Sequence, residues 1–267
     1  MPGRVKSLKA TAIRPRRCVT SLSRVVIRDT LVFIPAWNEE DNLPAVLDEL
    51  RGGLPECEVL VVDDGSTDRT ADVARDHGAS VLSFGENRGL REGIAAGYAY
   101  AHEQGYEFVG RVDADGQHPV DELSRLLALV QSGDADVAVG SRFATGEGYE
   151  AYRYTPSPSR QLGTSALRRA MHASLGHPFH DATSGMYAAN RLAMPILGVR
   201  YTSGAPEVES LLRLRDAGLR VAEVPVHMRE RASGESKLRG SKALKLVATV
   251  MGTLLLYGVW RRFRRWR

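Results

Sequence analysis

VLVVDDGSTD, residues 59–68, sets an apolar, β-branched run directly against a polar cluster. Such a junction reads as a buried strand that ends at Asp63 and turns at once, with Gly65 allowing a tight turn and Ser66 or Thr67 able to cap a following helix. The same junction occurs twice more. Leu31–Pro35 runs into Ala36-Trp37-Asn38-Glu39, and Phe108–Asp113 runs into Ala114-Asp115-Gly116-Gln117-His118-Pro119. Further apolar runs at Ser80–Phe84, Val137–Ser141, Gly185–Ala189 and Val221–Val226 complete the set of predicted strands.

Between these runs, Leu43/Val46/Leu47/Leu50 and Leu123/Leu126/Leu127/Val130 recur at helical spacing, and Gly93–Ala101 is rich in small residues. Arg160–Leu175 and Pro206–Asp216 return to helical periodicity further on. Alternating strands and helices predict an α/β domain built on a mainly parallel sheet. In such sheets ligands collect at the carboxyl ends of the strands, so the three polar clusters fall along one ligand-facing rim. The stretch GEGYEAYRYTPSPS, residues 146–159, can continue neither element and is expected as a mobile loop over that rim. Its Tyr149, Tyr152 and Tyr154 are candidates to guide a lipid or sugar, or simply solvated loop tyrosines.

The pair Asp113-x-Asp115 has an internal control at Asp134-Ala-Asp136. The second pair precedes its strand, at the amino edge, and is expected as a solvated turn. The first follows an apolar strand and leads into Pro119 at a helix start, which points both carboxylates at the rim. Oxygen ligands so placed suit Mg²⁺ or Mn²⁺ bridging to a diphosphate, and Arg88 could assist that diphosphate. His118 could brace the metal loop.

Charge is strongly segregated. Residues 1–28 hold eight Lys/Arg and no acidic residue, residues 229–267 hold eleven Lys/Arg against two acidic residues, and the body between is acidic. An acidic body repels a polyanion, so nucleic acid is not expected as a partner. Residues 1–28 lack the apolar core of a secretory signal and read as a basic, disordered arm. Residues 29–241 are expected to form one α/β domain that carries the ligand-facing rim. Residues 242–267 include the uncharged run Leu246–Trp260, which as a helix would be about 22 Å long and so shorter than a ~30 Å bilayer core. With its Arg-rich tail it is expected as a helix on a membrane surface, peripheral to the cytoplasmic face; a core helix is the alternative. Cys18 and Cys57, the two cysteines, flank the first predicted strand without metal-ligand spacing and suggest neither a zinc site nor a disulfide framework, which fits a reducing cytoplasm.

Six segments in order, PAWNE, VVDDGSTD, NRGLREGIAAG, DADGQHP, DATSGMYAANR and EVPVHMRERASGESKLRG, resemble family 2 glycosyltransferases, and among them the dolichol-phosphate mannosyltransferase and polyprenol-phosphate glycosyltransferase branch. The resemblance spans about residues 30–245. It implies a GT-A fold, a GDP- or UDP-sugar donor, a lipid-phosphate acceptor, and inversion at the anomeric carbon. By the same resemblance Pro35, Trp37 and Glu39 are nucleotide-side contacts, Asp63 holds base or ribose with Asp64 also on the donor side, and Asp113, Asp115 and Gln117 form the metal and diphosphate site. Arg142, Arg160 and Thr164 fall where the branch contacts its acceptor phosphate, and Arg231 and Lys237 look like a cationic flap over the donor phosphates. Glu209 sits at the head of a helix, where relatives carry an acidic residue, and is the candidate catalytic carboxylate.

Trp37 replaces a more usual tyrosine, Arg91-Glu92 stands where relatives often have small residues, and Glu207 stands where the branch often has glutamine. Two other functions remain open at this level. One is a glycosyltransferase acting on a hydroxyl, which needs Glu209 or Glu207 as base. The other is a non-catalytic nucleotide-sugar-binding protein, against which the intact Asp113/Asp115/Gln117 set argues. A dinucleotide oxidoreductase is disfavoured because no Gly-x-Gly-x-x-Gly follows the first strand.

Overall fold

The strand β1 (Thr30–Ala36) is buried along its whole length, and its residues divide by parity. Leu31 and Phe33 enter one apolar cluster; Val32, Ile34 and Ala36 enter a second. A strand apolar on both faces belongs at the centre of a sheet covered on both sides, and that is its position here. The structure is a computed structural model that describes residues 29–146, 148–149, 171–172, 174, 179–229, 249–250, 252–254 and 257.

After β1 come α1 (Leu43–Gly53), β2 (Glu58–Asp63), α2 (Thr70–Asp76), β3 (Ser80–Ser83), α3 (Leu90–Glu103), β4 (Phe108–Arg111), α4 (Val120–Gln131) and β5 (Val137–Ser141). They are followed by β6 (Tyr187–Asn190), α5 (Met194–Leu197), α6 (Pro206–Asp216) and β7 (Val221–Pro225). The sheet runs β3-β2-β1-β4-β6-β5-β7. β6 pairs antiparallel with β4 and with β5, while every other pairing is parallel. One reversed strand leaves the carboxyl ends of the other strands on a common edge and brings the amino end of β6 to it. Val46, Leu47 and Leu50 of α1 and Leu123, Leu126 and Leu127 of α4 cover one face of the sheet. Ile94 and Tyr98 of α3, with Met194 and Leu197 of α5 and Leu211, Leu212 and Leu214 of α6, cover the other.

Several expectations change. β4 ends at Arg111 and not at Asp113, because the chain leaves β1 after the pair Phe33↔Arg111. Neither Ser66 nor Thr67 caps α2: Asp68 accepts from Thr70 N at 2.9 Å, while Ser66 and Thr67 bond to Asn38. Asp134 is exposed as expected, but Asp136 is buried and is not a solvated turn residue. It takes a bidentate pair from Arg220 at 3.0 and 2.8 Å and a bond from Asn190 at 3.0 Å, tying the starts of β5 and β7 to the end of β6.

The C-terminal segment also differs from expectation where it is described. Thr249, Val250, residues 252–254 and Tyr257 are helical, and Val250 and Leu254 are buried in the same cluster as α6. The Tyr257 hydroxyl donates to the Leu212 carbonyl at 3.2 Å, and the Arg215 guanidinium lies over its ring. This part of the segment therefore contributes to the domain core. Among the described residues no helix is long and apolar enough to cross a membrane. The arm 1–28 lies outside the described residues.

Hydrogen bonds from Arg220 hold the Asp136 carboxyl down at about 2, below its ordinary value near 4. The stability this supplies is complete above the unfolded-state value and is lost as pH falls through about 2. Asp136→Asn is expected to lower the thermal midpoint at pH 7, with the gap to wild type closing as the pH is taken from about 4 towards 2. Thermal melts across that range check it; a gap independent of pH would remove the ion pair as its cause.

Candidate active site

β1 pairs with β2 as far as Ala36↔Asp63 but with β4 only as far as Phe33↔Arg111. Beyond that point β1 and β4 part, at the place where the strand order changes direction, and a crevice opens. Pro35 lies beyond the last β4 partner, so the donor that proline lacks breaks no bond to that strand. It is buried within β1, with its Cβ 3.5 Å from the position a side chain at Gly93 would take, and so belongs to the sheet–α3 packing and not to the open rim.

The loops after β1 and β2 hold each other. Ser66 Oγ accepts from Asn38 N at 3.0 Å, and Asn38 Oδ1 accepts from Thr67 N at 2.8 Å. Trp37, between them, is 43% exposed on the rim. Glu39 Oε2 accepts from Asn42 Nδ2 at 2.7 Å. Asp63 is buried: Oδ1 accepts from Ser66 N at 3.0 Å and Oδ2 from Ser83 Oγ at 2.7 Å. Asp64 accepts from the backbone of Arg88 at 2.6 Å and Gly89 at 2.8 Å, so its carboxylate sits at the start of α3 and holds the loop before it. The Arg88 side chain is half exposed, 5.0 Å from the Phe84 ring and 3.8 Å from Glu86.

Asp113 and Asp115 open the loop after β4. His118 Nδ1 accepts from Asp113 N at 3.0 Å, which puts the ring proton on Nε2, 3.9 Å from Asp113 Oδ2. Burial holds His118 below the ordinary imidazole range, so the ring is neutral at pH 7 and braces the loop, as expected. Asp115 Oδ1 accepts from Gln117 N at 3.1 Å. Gln117 in turn exchanges bonds with Arg229: its carbonyl accepts from Arg229 N at 2.9 Å and its side-chain amide donates to the Arg229 carbonyl at 3.4 Å. Arg229 also grips Glu49 of α1 in a bidentate pair at 2.6 and 2.9 Å, and Glu49 accepts from Val120 N at the start of α4. The acidic loop and the stem of the segment bearing Arg231 and Lys237 are thus one bonded unit. Arg231, Lys237, Arg160 and Thr164 themselves lie outside the described residues.

Beside Asp113 a cavity of about 320 Å³ is lined by Leu90, Arg91, Arg111, Glu207, Thr183 and Val250, among others. Its floor is a buried charge group that the sequence reading missed. Arg111, 2% exposed, lies 3.5 Å from Asp113 and 3.2 Å from Glu207. Burial works against the Arg111 charge, but Asp113 and Glu207 outweigh it and hold the guanidinium above its usual range. Burial raises the Glu207 carboxyl, and Arg111 offsets this only in part. A Cβ at Gly185 would come 2.5 Å from Asp113 Oδ2, so only glycine lets β6 pass this close. Arg142, at the end of β5, forms a bidentate pair with buried Asp181 at 2.7 and 2.8 Å and reaches Thr183 Oγ1 at 3.1 Å.

Glu209, the candidate catalytic carboxylate, is bonded into the fold. It accepts from the backbone of Thr202 at 3.1 Å and Ser203 at 2.8 Å, and from Arg213 at 2.6 Å, and is not among the residues lining the cavity beside Asp113. Burial pushes it up, yet those bonds and the Arg213 charge leave it below the usual carboxylate range, the opposite of what a base requires. Tyr149 is likewise structural. It stacks on His227 at 4.5 Å, and its hydroxyl joins Glu122 and Arg125, which fastens the loop stem to α4.

Residues 31–191 match the family model described as Glycosyl transferase family 2. The chain belongs to glycosyl transferase family 2. The family 2 chain is 34% identical to the polyprenol monophosphomannose synthase of Mycolicibacterium smegmatis, over 79% of its own length and 82% of that protein. It is 34% identical to the undecaprenyl-phosphate mannosyltransferase of Micrococcus luteus, over 82% and 91%. Its fold matches the GT-A glycosyltransferase glucosyl-3-phosphoglycerate synthase of Mycobacterium tuberculosis, solved with Mn²⁺, uridine diphosphate and glucosyl-3-phosphoglycerate, with a TM-score of 0.63 at 24% identity over 92% and 86% of the two chains. This glycosyltransferase therefore has the α/β, GT-A architecture that the resemblance implied.

A signal for Arg111 was present in FVGRVD, where one charge interrupts a strand otherwise apolar enough to be fully buried. Gly185→Ala in this glycosyltransferase is expected to displace Asp113 and lower kcat by roughly tenfold or more, since a misplacement of about 1 Å can cost 10²-fold, at an unchanged circular-dichroism spectrum; full turnover would separate Asp113 from the chemistry. Glu209→Gln is expected to lower stability by roughly 1–3 kcal/mol while leaving kcat at saturating acceptor intact below the melting point. Complete loss of turnover at an unaltered melting temperature would restore Glu209 as a base.

Proposed function

We propose that the chain transfers a hexosyl group from a GDP- or UDP-linked sugar to the phosphate of a polyprenol or dolichol, with inversion at the anomeric carbon. The observation that carries this reading is the pair of relatives named for mannosyl transfer to polyprenyl phosphates, which the chain matches over most of their length. The chemistry of the cavity supports it. Its carboxylates, Asp113 and Glu207, both lie against Arg111, and an acceptor phosphate is already ionised, so transfer needs no base to remove a proton.

The donors at the rim are the carboxylate oxygens of Asp113 and Asp115, hard ligands that suit an ion held by one or two carboxylates together with the phosphates of its substrate, as is usual for Mg²⁺. Asp113 and Asp115 would hold Mg²⁺ or Mn²⁺; when bound, the ion supplies positive charge against the leaving nucleoside diphosphate. The remaining steps belong to side chains of the chain itself. Asp63 and Glu39 offer acceptors to base and ribose, with Trp37 as a stacking surface. Asp64 holds the Arg88 loop toward the diphosphate, and Gln117 keeps the acidic loop tied to Arg229, from which Arg231 and Lys237 extend as a cationic flap. Arg142, Arg160 and Thr164 serve the acceptor phosphate, and a lipid acceptor sets the enzyme to work at the cytoplasmic surface of a membrane.

One observation favours a second reading. Glu207 lines the cavity with its carboxyl raised by burial, which is the property of a general base for a hydroxyl acceptor. Supplying the enzyme with labelled GDP- and UDP-sugars and either polyprenyl phosphate or polyprenol separates the two: the phosphate alone is expected to be glycosylated, and use of the alcohol would overturn the proposal. Asp115→Asn, or chelation of divalent ions, is expected to abolish transfer with the fold retained. Full turnover in either case would remove the metal assignment.

A further inference from the structure

Four charged side chains line the cavity beside Asp113: Arg91, Arg111, Asp113 and Glu207. Three of them form the floor, with Arg111 between the two carboxylates. Arg91 is different. Its Nη1 donates to the Ser203 carbonyl at 3.2 Å, and no carboxylate among the described residues lies within ion-pair distance of it. Its neighbour Glu92 pairs elsewhere, with Arg200 at 3.0 Å. Arg142, assigned above to the acceptor phosphate, pairs with buried Asp181. A guanidinium that is partly buried and held in place, yet has no counter-charge among the described residues, is set up to receive an anion.

The position of Arg91 selects among anions. It stands at the start of α3, across a cavity whose other walls come from the β6 approach at Ala182–Gly185 and from α6 at Ala205–Val208, with apolar Leu90 and Val250 completing them. The loop before Arg91 is bonded to Asp64 through Arg88 N and Gly89 N, and the apolar residues of this cavity, Leu90 and Val250, suit a phosphate that carries a hydrocarbon chain. The anchor for Arg91 is itself held, since Glu209 bonds the backbone of Thr202 and Ser203 and so fixes the carbonyl to which Arg91 donates.

We propose that Arg91 binds the phosphate monoester of the acceptor and is a specificity-determining residue for a phosphate acceptor over a hydroxyl one. The inference rests on the lipid-phosphate reading of the site. Arg91 supplies charge-assisted hydrogen bonds to the phosphate, the apolar wall takes the first carbons of its lipid, and Glu209 acts as a positioning residue through Ser203. The planar guanidinium can give one N–H to Ser203 and keep others for the anion.

The test measures steady-state transfer by the full-length enzyme with undecaprenyl phosphate in detergent and the nucleotide sugar it uses, for wild type, Arg91→Ala, Arg91→Gln and Arg91→Lys. Arg91→Gln retains an N–H for Ser203 but not the charge. Arg91→Ala and Arg91→Gln are expected to raise KM for the lipid phosphate by roughly tenfold or more, leave KM for the donor within about twofold, and keep the wild-type melting temperature; Arg91→Lys recovers part of the loss. Three results would overturn the proposal: an unchanged acceptor KM, an equal rise in both KM values, which would move Arg91 to the donor diphosphate, or a defect in Arg91→Ala that Arg91→Gln repairs, which would leave only the bond to Ser203. Wild type that ignores undecaprenyl phosphate refutes the function itself, whereas wild type that uses it with indifferent variants refutes only this inference. A water-soluble phosphate monoester run in parallel tells a lipid from a free phosphate: the proposal expects it to compete weakly with wild type and not with Arg91→Ala.

Discussion

A guanidinium buried at the end of β4 sets the terms for everything around it. Arg111 is almost wholly removed from water, and a lone charge there would cost several kcal/mol. Asp113 and Glu207 offset that cost, and in doing so they are brought to fixed positions on either side of one cavity. Removing both carboxylates would strand the arginine, and removing the arginine leaves two carboxylates without the charge between them. The acidic rim is in this sense built from beneath, by a guanidinium buried in the sheet layer.

The rest of the fold supports this group by making room for it. β1 and β4 part after Phe33 and Arg111, so the crevice begins where the arginine lies. Gly185 lets β6 cross against Asp113 with no side chain between them. Farther out, Glu49 and Arg229 bind the acidic loop, the start of α4 and the chain leaving β7 into one unit. Asp136 with Arg220 does the equivalent at the opposite edge of the sheet, away from any ligand. The two Asp-x-Asp pairs of the chain thus divide into one at the rim and one that holds strands together.

Much of the architecture was legible because burial on both faces leaves continuous apolar runs, and because polar residues gather where parallel strands end. β1, β2 and β4 announced themselves this way, and so did the carboxylates behind them. What was hidden depends on partners distant in sequence. Nothing near Glu209 or Glu207 says which faces the cavity; the answer comes from Thr202 and Ser203 bonding one and Arg111 meeting the other. Asp136 looked like a surface turn because Arg220 and Asn190, which bury it, are far along the chain. Tyr149 looked like a loop residue that might meet a ligand until His227 was found stacked on it. The apolar run near the C-terminus fits a membrane surface and a protein core equally by composition, and at Val250 and Leu254 the core has it.

The measurement that bears most directly on the account is the identity of the bond the enzyme makes. The lipid product formed from a labelled nucleotide sugar and undecaprenyl phosphate, analysed by mass spectrometry and mild acid, should be a single hexose joined through a phosphodiester to the polyprenol, with its anomeric configuration opposite to that of the donor. A sugar joined through an ether-type glycosidic bond to a hydroxyl, or a product that keeps the donor's configuration, would contradict it.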